Sequence, residues 1–146
     1  MIDLPSFNTL AFEPFNIAVP DPAAGAGWNY IVPDNTILLI DAVFCLLITS
    51  AAALNRQVVI YISLTAPLIY DFLSTDIVVA SQARRINIFP AASFYTSGGP
   101  TGRCLLPIPP NLYLRTFDQI TVGCFAIDAA DQFSDILIAG RRWTIF

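Results

Sequence analysis

Three carboxylates close together in the sequence have the clearest potential for chemistry. Asp128, Asp131 and Asp135 lie within "DAADQFSD", a spacing at which two carboxylates could serve as the pair of a glycosidase or bind calcium. The segment lacks the alternating oxygen ligands and central Gly of an EF-hand loop, and carboxylates beside small residues commonly cap turns. We therefore predict structural roles for these residues, with catalysis or metal binding as the alternative.

The residue types that most enzymes use are missing from the chain. It contains no His, and all seven basic residues are Arg, which excludes Ser-His-Asp and Cys-His catalysis, histidine metal sites and Schiff-base lysines. The three cysteines, Cys45, Cys104 and Cys124, form no C-x-x-C pair and are expected to be buried free thiols. We predict a non-enzymatic protein with no catalytic residue, no cofactor and no metal ion.

The composition indicates a single domain with more apolar surface than it can bury alone. The chain has 146 residues, of which 55% are hydrophobic and 12% charged, against about 25% charged in ordinary soluble domains. The excess should meet a partner. An all-Arg set suits an interface better than Lys would, with compositional drift in a short chain as the equal alternative. A net charge of −4 without a basic run argues against nucleic acid as that partner.

The elements that must position these residues have the pattern of β-strands. In "QVVIYISL", Val58, Ile60 and Ile62 alternate with polar neighbours, and period two is typical of strands. Seven or eight such runs at even spacing predict an all-β fold, an antiparallel jelly-roll-like β-sandwich over residues 28–146. The Pro-rich "LLPIPPNLYLR" is expected to be an extended connection, and Gly140 to mark a bulge in the last strand.

Residues 1–27 are expected to form an extended N-terminal arm. Prolines at four positions and the ending "AAGAG" disfavour a helix or a central strand. The arm is too apolar to stay in water, so it should lie on its own surface or on a neighbour's, with Leu4, Phe7, Phe12 and Phe15 contacting another chain. It lacks the features of a signal peptide, so standard export is not expected.

A membrane-spanning segment is the weaker interpretation of the most apolar stretch. Residues 37–54 are about long enough to cross a bilayer, but Asp41 would lie inside it at a cost of about 2.5 to 3.5 kcal/mol. The period-two pattern that follows favours two neighbouring strands, and we predict no membrane partner.

Aromatic side chains provide a further candidate, a platform on which sugars could stack. The candidates are Trp28, Tyr30, Tyr61, Tyr95, Tyr113 and Trp143. Most are expected in the core or at subunit contacts, because the polar donors that accompany sugar platforms are sparse here. Glycan binding therefore stays an alternative function.

Four fragments in order resemble small structural proteins of tailed bacteriophages. They are "WNYIVPDNT", "AVFCLLITSAAALNRQVVIYI", "LLPIPPNLYL" and "DQITVGCFAIDAADQFSDILIAGRRW", within residues 28–143. The residues matched by position are Trp28, Pro33, Asn55, Arg56, Asp131, Gln132 and Trp143. The resemblance implies structural work for these residues, and we expect Trp28, Arg56 and Trp143 to contribute to an interface.

The resemblance implies a place on the virion. Such proteins are β-sandwiches that decorate and cement the capsid, which implies a homotrimer whose partners are its own copies and the major capsid protein. A tail, baseplate or head-tail connector component is the open alternative, beside the glycan-binding module.

Overall fold

The fold consists of β-strands throughout the part of the chain that the structure describes. In this computed structural model the described residues are 12–65, 69–90, 95–96 and 102–145. None of them forms a helix that is long and apolar enough to cross a membrane. The strands are β1 (Glu13–Val19), β2 (Trp28–Ile31), β3 (Thr36–Ile48), β4 (Arg56–Ser63), β5 (Ile69–Val78), β6 (Ala83–Pro90), β7 (Tyr95–Thr96), β8 (Arg103–Ile108), β9 (Tyr113–Leu114), β10 (Gln119–Phe125) and β11 (Gln132–Thr144).

The strands form two sheets packed as a sandwich. The larger sheet has the order β1-β11-β3-β6-β8-β7, with β9 beside the first part of β3, and the smaller sheet has the order β2-β10-β4-β5. If the eight main strands (β1 to β6, β10 and β11) are numbered along the chain, the orders become 1-8-3-6 and 2-7-4-5. This arrangement is a jelly roll, built from two Greek keys, and it confirms the predicted fold class.

The core lies between the sheets and follows from the alternation of side chains along each strand. On β4, Val58, Ile60 and Ile62 are buried while Gln57 and Tyr61 are partly exposed. Their partners across the sandwich come from β3, β6, β8 and β11. Each such aliphatic side chain contributes about 1.5 to 3 kcal/mol on burial, so the period-two pattern fixes which face of each strand is inside.

The described half of the predicted arm belongs to the sandwich. Residues of β1 pair with β11 from Glu13 opposite Arg142 to Val19 opposite Ile136, and Phe15 is buried in the core. This corrects the predicted boundary at residue 28. Phe15, Ile17 and Val19 alternate as in any half-buried strand, and an edge strand tolerates proline. Leu4 and Phe7 lie outside the described residues.

The Pro-rich segment after residue 102 also corrects an expectation, because its first part is strand β8 and not a connection. β8 runs parallel to β6 and antiparallel to the two-residue β7. Among the described residues, β7 pairs with Cys104 and Leu105. The second part of the segment leads to β9.

The bulge predicted in the last strand at Gly140 lies on the neighbouring strand instead. Ala139 pairs with Ala42 and Gly140 with Ile40, so the extra residue at this register shift is Asp41 of β3, whereas β11 has its own extra residue between Ser134 and Leu137. A Cβ at residue 140 would collide with the Leu39 carbonyl oxygen and lie 3.0 Å from the Phe15 ring. Glycine is therefore needed here because two backbones approach closely, and not because of its φ angle.

We predict that Gly140→Ala lowers the free energy of unfolding by about 1 to 3 kcal/mol, the usual cost of overpacking a filled site. The matched control is Gly123→Ala in β10, where the nearest atom to a new Cβ is Val59 Cγ1 at 3.8 Å, so its effect should stay within about 0.5 kcal/mol. Urea unfolding of both variants measures the difference. Equal effects would contradict the assignment.

Candidate functional site

A buried ion pair accounts for the central residue of the carboxylate cluster. Arg56 begins β4 in the smaller sheet, and Asp131 directly precedes β11 in the larger one. The guanidinium donates from Nε to Asp131 Oδ2 at 2.8 Å and from Nη2 to Oδ1 at 3.0 Å. Both side chains have no exposed surface. The two-pronged geometry is the strong form of a charged hydrogen bond.

Every polar atom of this pair is used. Arg56 Nη1 donates to the carbonyls of Ala52 and Leu54 at 2.8 and 3.0 Å, and Nη2 also donates to Ser50 Oγ at 2.9 Å, which completes the five donors of a guanidinium. Asp131 accepts from the backbone N–H of Ser50 at 2.7 Å and of Asp128 at 2.8 Å. No lone pair of the carboxylate remains for a substrate or a metal ion.

The surroundings keep Asp131 ionised. Burial raises its pKa, but hydrogen bonds from the Arg56 guanidinium and from the N–H groups of Asp128 and Ser50 act in the opposite direction, and the net pKa lies below its ordinary value. A general acid needs a carboxyl that still carries a proton near neutral pH. This environment favours the ionised carboxylate instead. The pair therefore stabilises the fold, and Asp131 is not suited to act as a general acid.

The other two carboxylates of the cluster do not join Asp131 around a common point. Asp128 accepts a hydrogen bond from the Ala130 N–H at 3.0 Å, as in a turn cap. Asp135 is exposed, with a φ of 51° in the irregular stretch of β11. No group of three His, Cys, Asp or Glu side chains is placed to hold a metal ion within the described ranges.

The thiols are as inert as their burial suggests. Cys45 and Cys104 are buried, Cys124 is half-buried, and none of the three is in a disulfide, so the predicted burial holds fully for two of the three. Burial raises the pKa of Cys45 to about 12 and, with help from the nearby Asp131 charge, that of Cys124 to about 12. Neither thiol offers a thiolate nucleophile near neutral pH.

Three of the predicted interface residues are interior residues of their own chain. Phe15 and Trp28 belong to the core cluster, and Arg56 is held in the ion pair described above. These side chains have little or no exposed surface, at most 7% for Phe15. The sequence singles out these three residues, and their burial within the chain accounts for their residue types without an interface.

The remaining two described interface residues, Phe12 and Trp143, come together on the outer face of the larger sheet. Their ring centroids are 6.0 Å apart, and Tyr113 lies 6.1 Å from Trp143 on its other side. The Arg141 guanidinium carbon sits 5.9 Å from the Phe12 centroid, within the range of a cation–π contact. We call Phe12, Tyr113 and Trp143 the aromatic cluster.

The aromatic cluster is exposed although it is apolar. Phe12 and Tyr113 are 55% and 51% exposed, and Arg141 is tied beside them to Asp41 at 3.1 Å. Aromatic rings and Arg are the residues most enriched in protein interfaces. The arrangement is suited to apolar contact with another protein surface. Asp41 and Arg141 were missed as neighbours because the register of β3 against β11 cannot be inferred from the sequence.

A shallow depression lies on the outer face of the smaller sheet. Its volume is about 470 Å³, and Gly123 forms its floor where a side chain is missing. Asn29, Tyr61, Thr121 and Phe125 are among its lining residues. Of the aromatic candidates for a sugar platform, Tyr61 lies here, whereas Tyr113 and Trp143 lie on the opposite sheet.

We predict that Asp131→Asn lowers the free energy of unfolding by about 3 to 5 kcal/mol, because it leaves a buried guanidinium without a counter-charge. The matched control is Asp41→Asn, which removes a carboxylate from an ion pair whose side chains are 42% and 48% exposed, and should cost less than about 1 kcal/mol. Urea unfolding at neutral pH gives both values. Similar losses of unfolding free energy in the two variants would mean that the buried pair is not a main source of stability.

The same pair predicts a loss of stability in acid. The pKa of Asp131 is lower in the folded chain than the value of about 3.9 expected when unfolded, so its contribution is complete above the unfolded pKa and disappears as the pH falls through the folded pKa. Unfolding of the wild type and of Asp131→Asn should be compared from pH 7 downward. Their difference in stability should shrink below about pH 4; a constant difference would contradict the ionised pair.

Comparison with known proteins adds no relative, since no family profile matches the sequence and no curated protein or solved structure is significantly similar to it.

Proposed function

We propose that this chain is a non-enzymatic structural protein of a bacteriophage particle, which forms a homotrimer and reinforces the capsid. The observation that carries the proposal is the exposed aromatic cluster on the outer face of the larger sheet. An apolar face of this kind is costly in water and gains free energy when another surface covers it.

The fold and the use of its charges support the proposal. Jelly rolls are frequent among viral capsid domains, although fold alone does not determine function. Asp131, the central carboxylate of the cluster, is held in a buried ion pair with Arg56, which favours a structural role. The resemblance of the four sequence fragments to phage structural proteins points to the same class.

The proposed contact between subunits is the aromatic cluster of one chain against a second copy. The exposed ion pair Arg141–Asp41 lies beside the cluster and would form part of the polar rim that protein interfaces usually have. With the major capsid protein as the other partner, the trimer would bridge shell subunits. A tail, baseplate or connector part remains the rival assignment, and ring symmetry other than three would favour it.

We predict that Phe12→Ser and Tyr113→Ser each shift the purified protein from trimer towards monomer, because each removes an aromatic anchor from the subunit contact. The matched control is Phe125→Ser on the smaller sheet, whose 52% exposure is close to that of Phe12 and Tyr113. Native mass spectrometry over a dilution series measures the distribution.

A wild-type chain that stays monomeric at high concentration would overturn the homotrimer. A dissociation caused by Phe125→Ser alone would move the contact to the smaller sheet. Locating the protein in purified phage particles by electron cryomicroscopy tests the capsid assignment separately, since a position on the tail would favour the rival.

Glycan binding is the second candidate function, and the depression around Gly123 favours it. Tyr61 and Phe125 offer aromatic faces there, and Asn29 and Thr121 offer hydrogen-bonding groups, the combination on which sugar rings stack and bond. A glycan array with the wild type and Tyr61→Ala decides the matter. Signals absent from both proteins would remove this candidate.

A further inference from the structure

One aromatic residue outside the cluster is both strained and exposed. Phe117, between β9 and β10, has a φ of 68°, in the left-handed region where a bulky side chain is a genuine outlier. It is also 59% exposed, more than any other large hydrophobic residue that the structure describes. The chain therefore carries the cost of this backbone conformation without burying the ring in return.

Residues 115–118, which we call the Phe117 turn, are held firmly by hydrogen bonds. The buried carboxylate of Asp118 accepts from the Arg115 N–H and from the N–H and hydroxyl of Thr65, each at 2.7 Å. The Phe117 N–H donates to the Val32 carbonyl at 3.0 Å, and the Val32 N–H donates to the Asp118 carbonyl at 2.9 Å. The turn is thus tied to the β2–β3 and β4–β5 loops, and Phe117 keeps its strained conformation as long as these bonds are made.

The fold alone does not account for an aromatic residue at this position. Asn or Gly would adopt the same φ at a lower cost and would not expose a ring to water. Backbone strain that a structure maintains in this way is concentrated at functional positions. A rigid, exposed ring is typical of an anchor residue, which enters an apolar site on a partner and loses little conformational freedom in doing so.

The proposed homotrimer needs a surface of this kind. In a closed ring of three copies, each contact joins one surface of a copy to a different surface of its neighbour. The aromatic cluster is one of these two surfaces. The other should be apolar, exposed and inclined to the first, because surfaces on opposite sides of a molecule link copies into an open row and not into a ring.

Among the described residues, two exposed apolar surfaces are the main candidates. Phe125 and Ile77 flank Gln57 on the outer face of the smaller sheet, which points away from the aromatic cluster on the larger sheet. The Phe117 turn instead lies at the end of the sandwich where β2 leads to β3 and β4 leads to β5. It directly follows β9, which carries Tyr113 of the cluster. The turn therefore lies on a side that adjoins the cluster, as a closed ring requires.

The charges of the two surfaces are also compatible. Arg115 in the Phe117 turn is exposed. Beside the aromatic cluster, Asp41 is 48% exposed and accepts from Arg141 through one of its oxygens, Oδ1. An ionised carboxylate can accept from several donors, so Asp41 can receive a second guanidinium from a neighbouring copy.

We propose that the Phe117 turn of one copy packs against the aromatic cluster of the next copy, and that this contact, repeated around the ring, closes the homotrimer. The Phe117 ring contacts the rings of the cluster, and Arg115 pairs with Asp41 at the rim. The inference rests on the proposed function, because it takes the protein to be a trimer, and it adds the second surface of the contact.

Phe117→Asn separates strain from assembly. Asn tolerates a positive φ, so the variant should unfold at a higher urea concentration than the wild type when both are diluted until they are monomeric. In native mass spectrometry the concentration at which half of the chains are trimeric should rise about tenfold or more, because an aromatic anchor is lost. The matched control is Phe125→Asn, which removes a ring of 52% exposure from a residue without a positive φ. It should neither weaken the trimer nor raise the urea midpoint.

Mixing two defective chains identifies the surface that the Phe117 turn contacts. A Phe117→Asn chain keeps its aromatic cluster, and a Phe12→Ser chain keeps its Phe117 turn. Each chain alone should be mainly monomeric. An equal mixture should form a heterodimer through the one intact pair of surfaces, and native mass spectrometry distinguishes it from either homodimer by mass.

The inference is supported if Phe117→Asn weakens the trimer while raising the urea midpoint, and if the mixture forms the heterodimer. It is overturned if the midpoint does not rise, if no heterodimer forms, or if Phe125→Asn weakens the trimer equally. A trimer that Phe12→Ser dissociates and Phe117→Asn leaves unchanged would overturn this inference and leave the proposed function in place. A wild type that is monomeric at every concentration would overturn both.

Discussion

The Arg56–Asp131 pair is the constraint on which the arrangement of this sandwich depends. It connects the loop between β3 and β4 to the loop between β10 and β11, 75 residues away in the chain. Besides the two charges, it satisfies the carbonyls of Ala52 and Leu54 and the N–H groups of Ser50 and Asp128. Buried backbone groups of loops rarely find partners in a regular ladder. Here two side chains supply them, so both loops can cross the end of the core without leaving polar atoms unpaired.

The network also explains why an apolar pair would not be an equivalent solution at this place. Buried ion pairs can often be replaced by hydrophobic residues of similar volume without loss, but that holds when the charges satisfy only each other. An apolar replacement here would leave three backbone groups without these partners, the N–H groups of Ser50 and Asp128 and the carbonyl of Leu54, each at the cost of an unmade hydrogen bond. Another buried carboxylate, Asp118, works in the same way before β10, where it accepts from the Thr65 N–H and hydroxyl and from the Arg115 N–H, each at 2.7 Å. Hydrogen-bonded polar networks therefore hold the loops of the sandwich in place, and aliphatic side chains fill the space between its two sheets.

The sequence predicts the strands well and their partners poorly. Period two in β4 and β10 reports local burial, which is why the fold class could be inferred. The edge strand β1 was not predicted because the four prolines of residues 1–27 outweighed the alternation of Phe15, Ile17 and Val19. The ion pair could not be inferred because its partners are distant in the chain and share no periodic signal. Residue type marked Arg56 and Asp131 as noteworthy, whereas only the register of the sheets shows that they meet.

The small number of charged residues in the chain affects its surface as well as its interior. A chain with 12% charged residues that commits an Arg and two Asp to buried networks has few charges left with which to cover its outer faces. The larger sheet consequently shows Phe12 and Tyr113 to solvent at one place and the Phe44–Phe89 pair beside Arg85 at another. Lysine side chains would reduce the tendency of such faces to associate because they stay hydrated, and the chain has no lysine. Arginine leaves the faces able to associate, since its planar group can stack on rings and pair with carboxylates as soon as water is removed. A surface with this composition is costly in water and gains free energy when another surface covers it, which is the physical basis of the association proposed above.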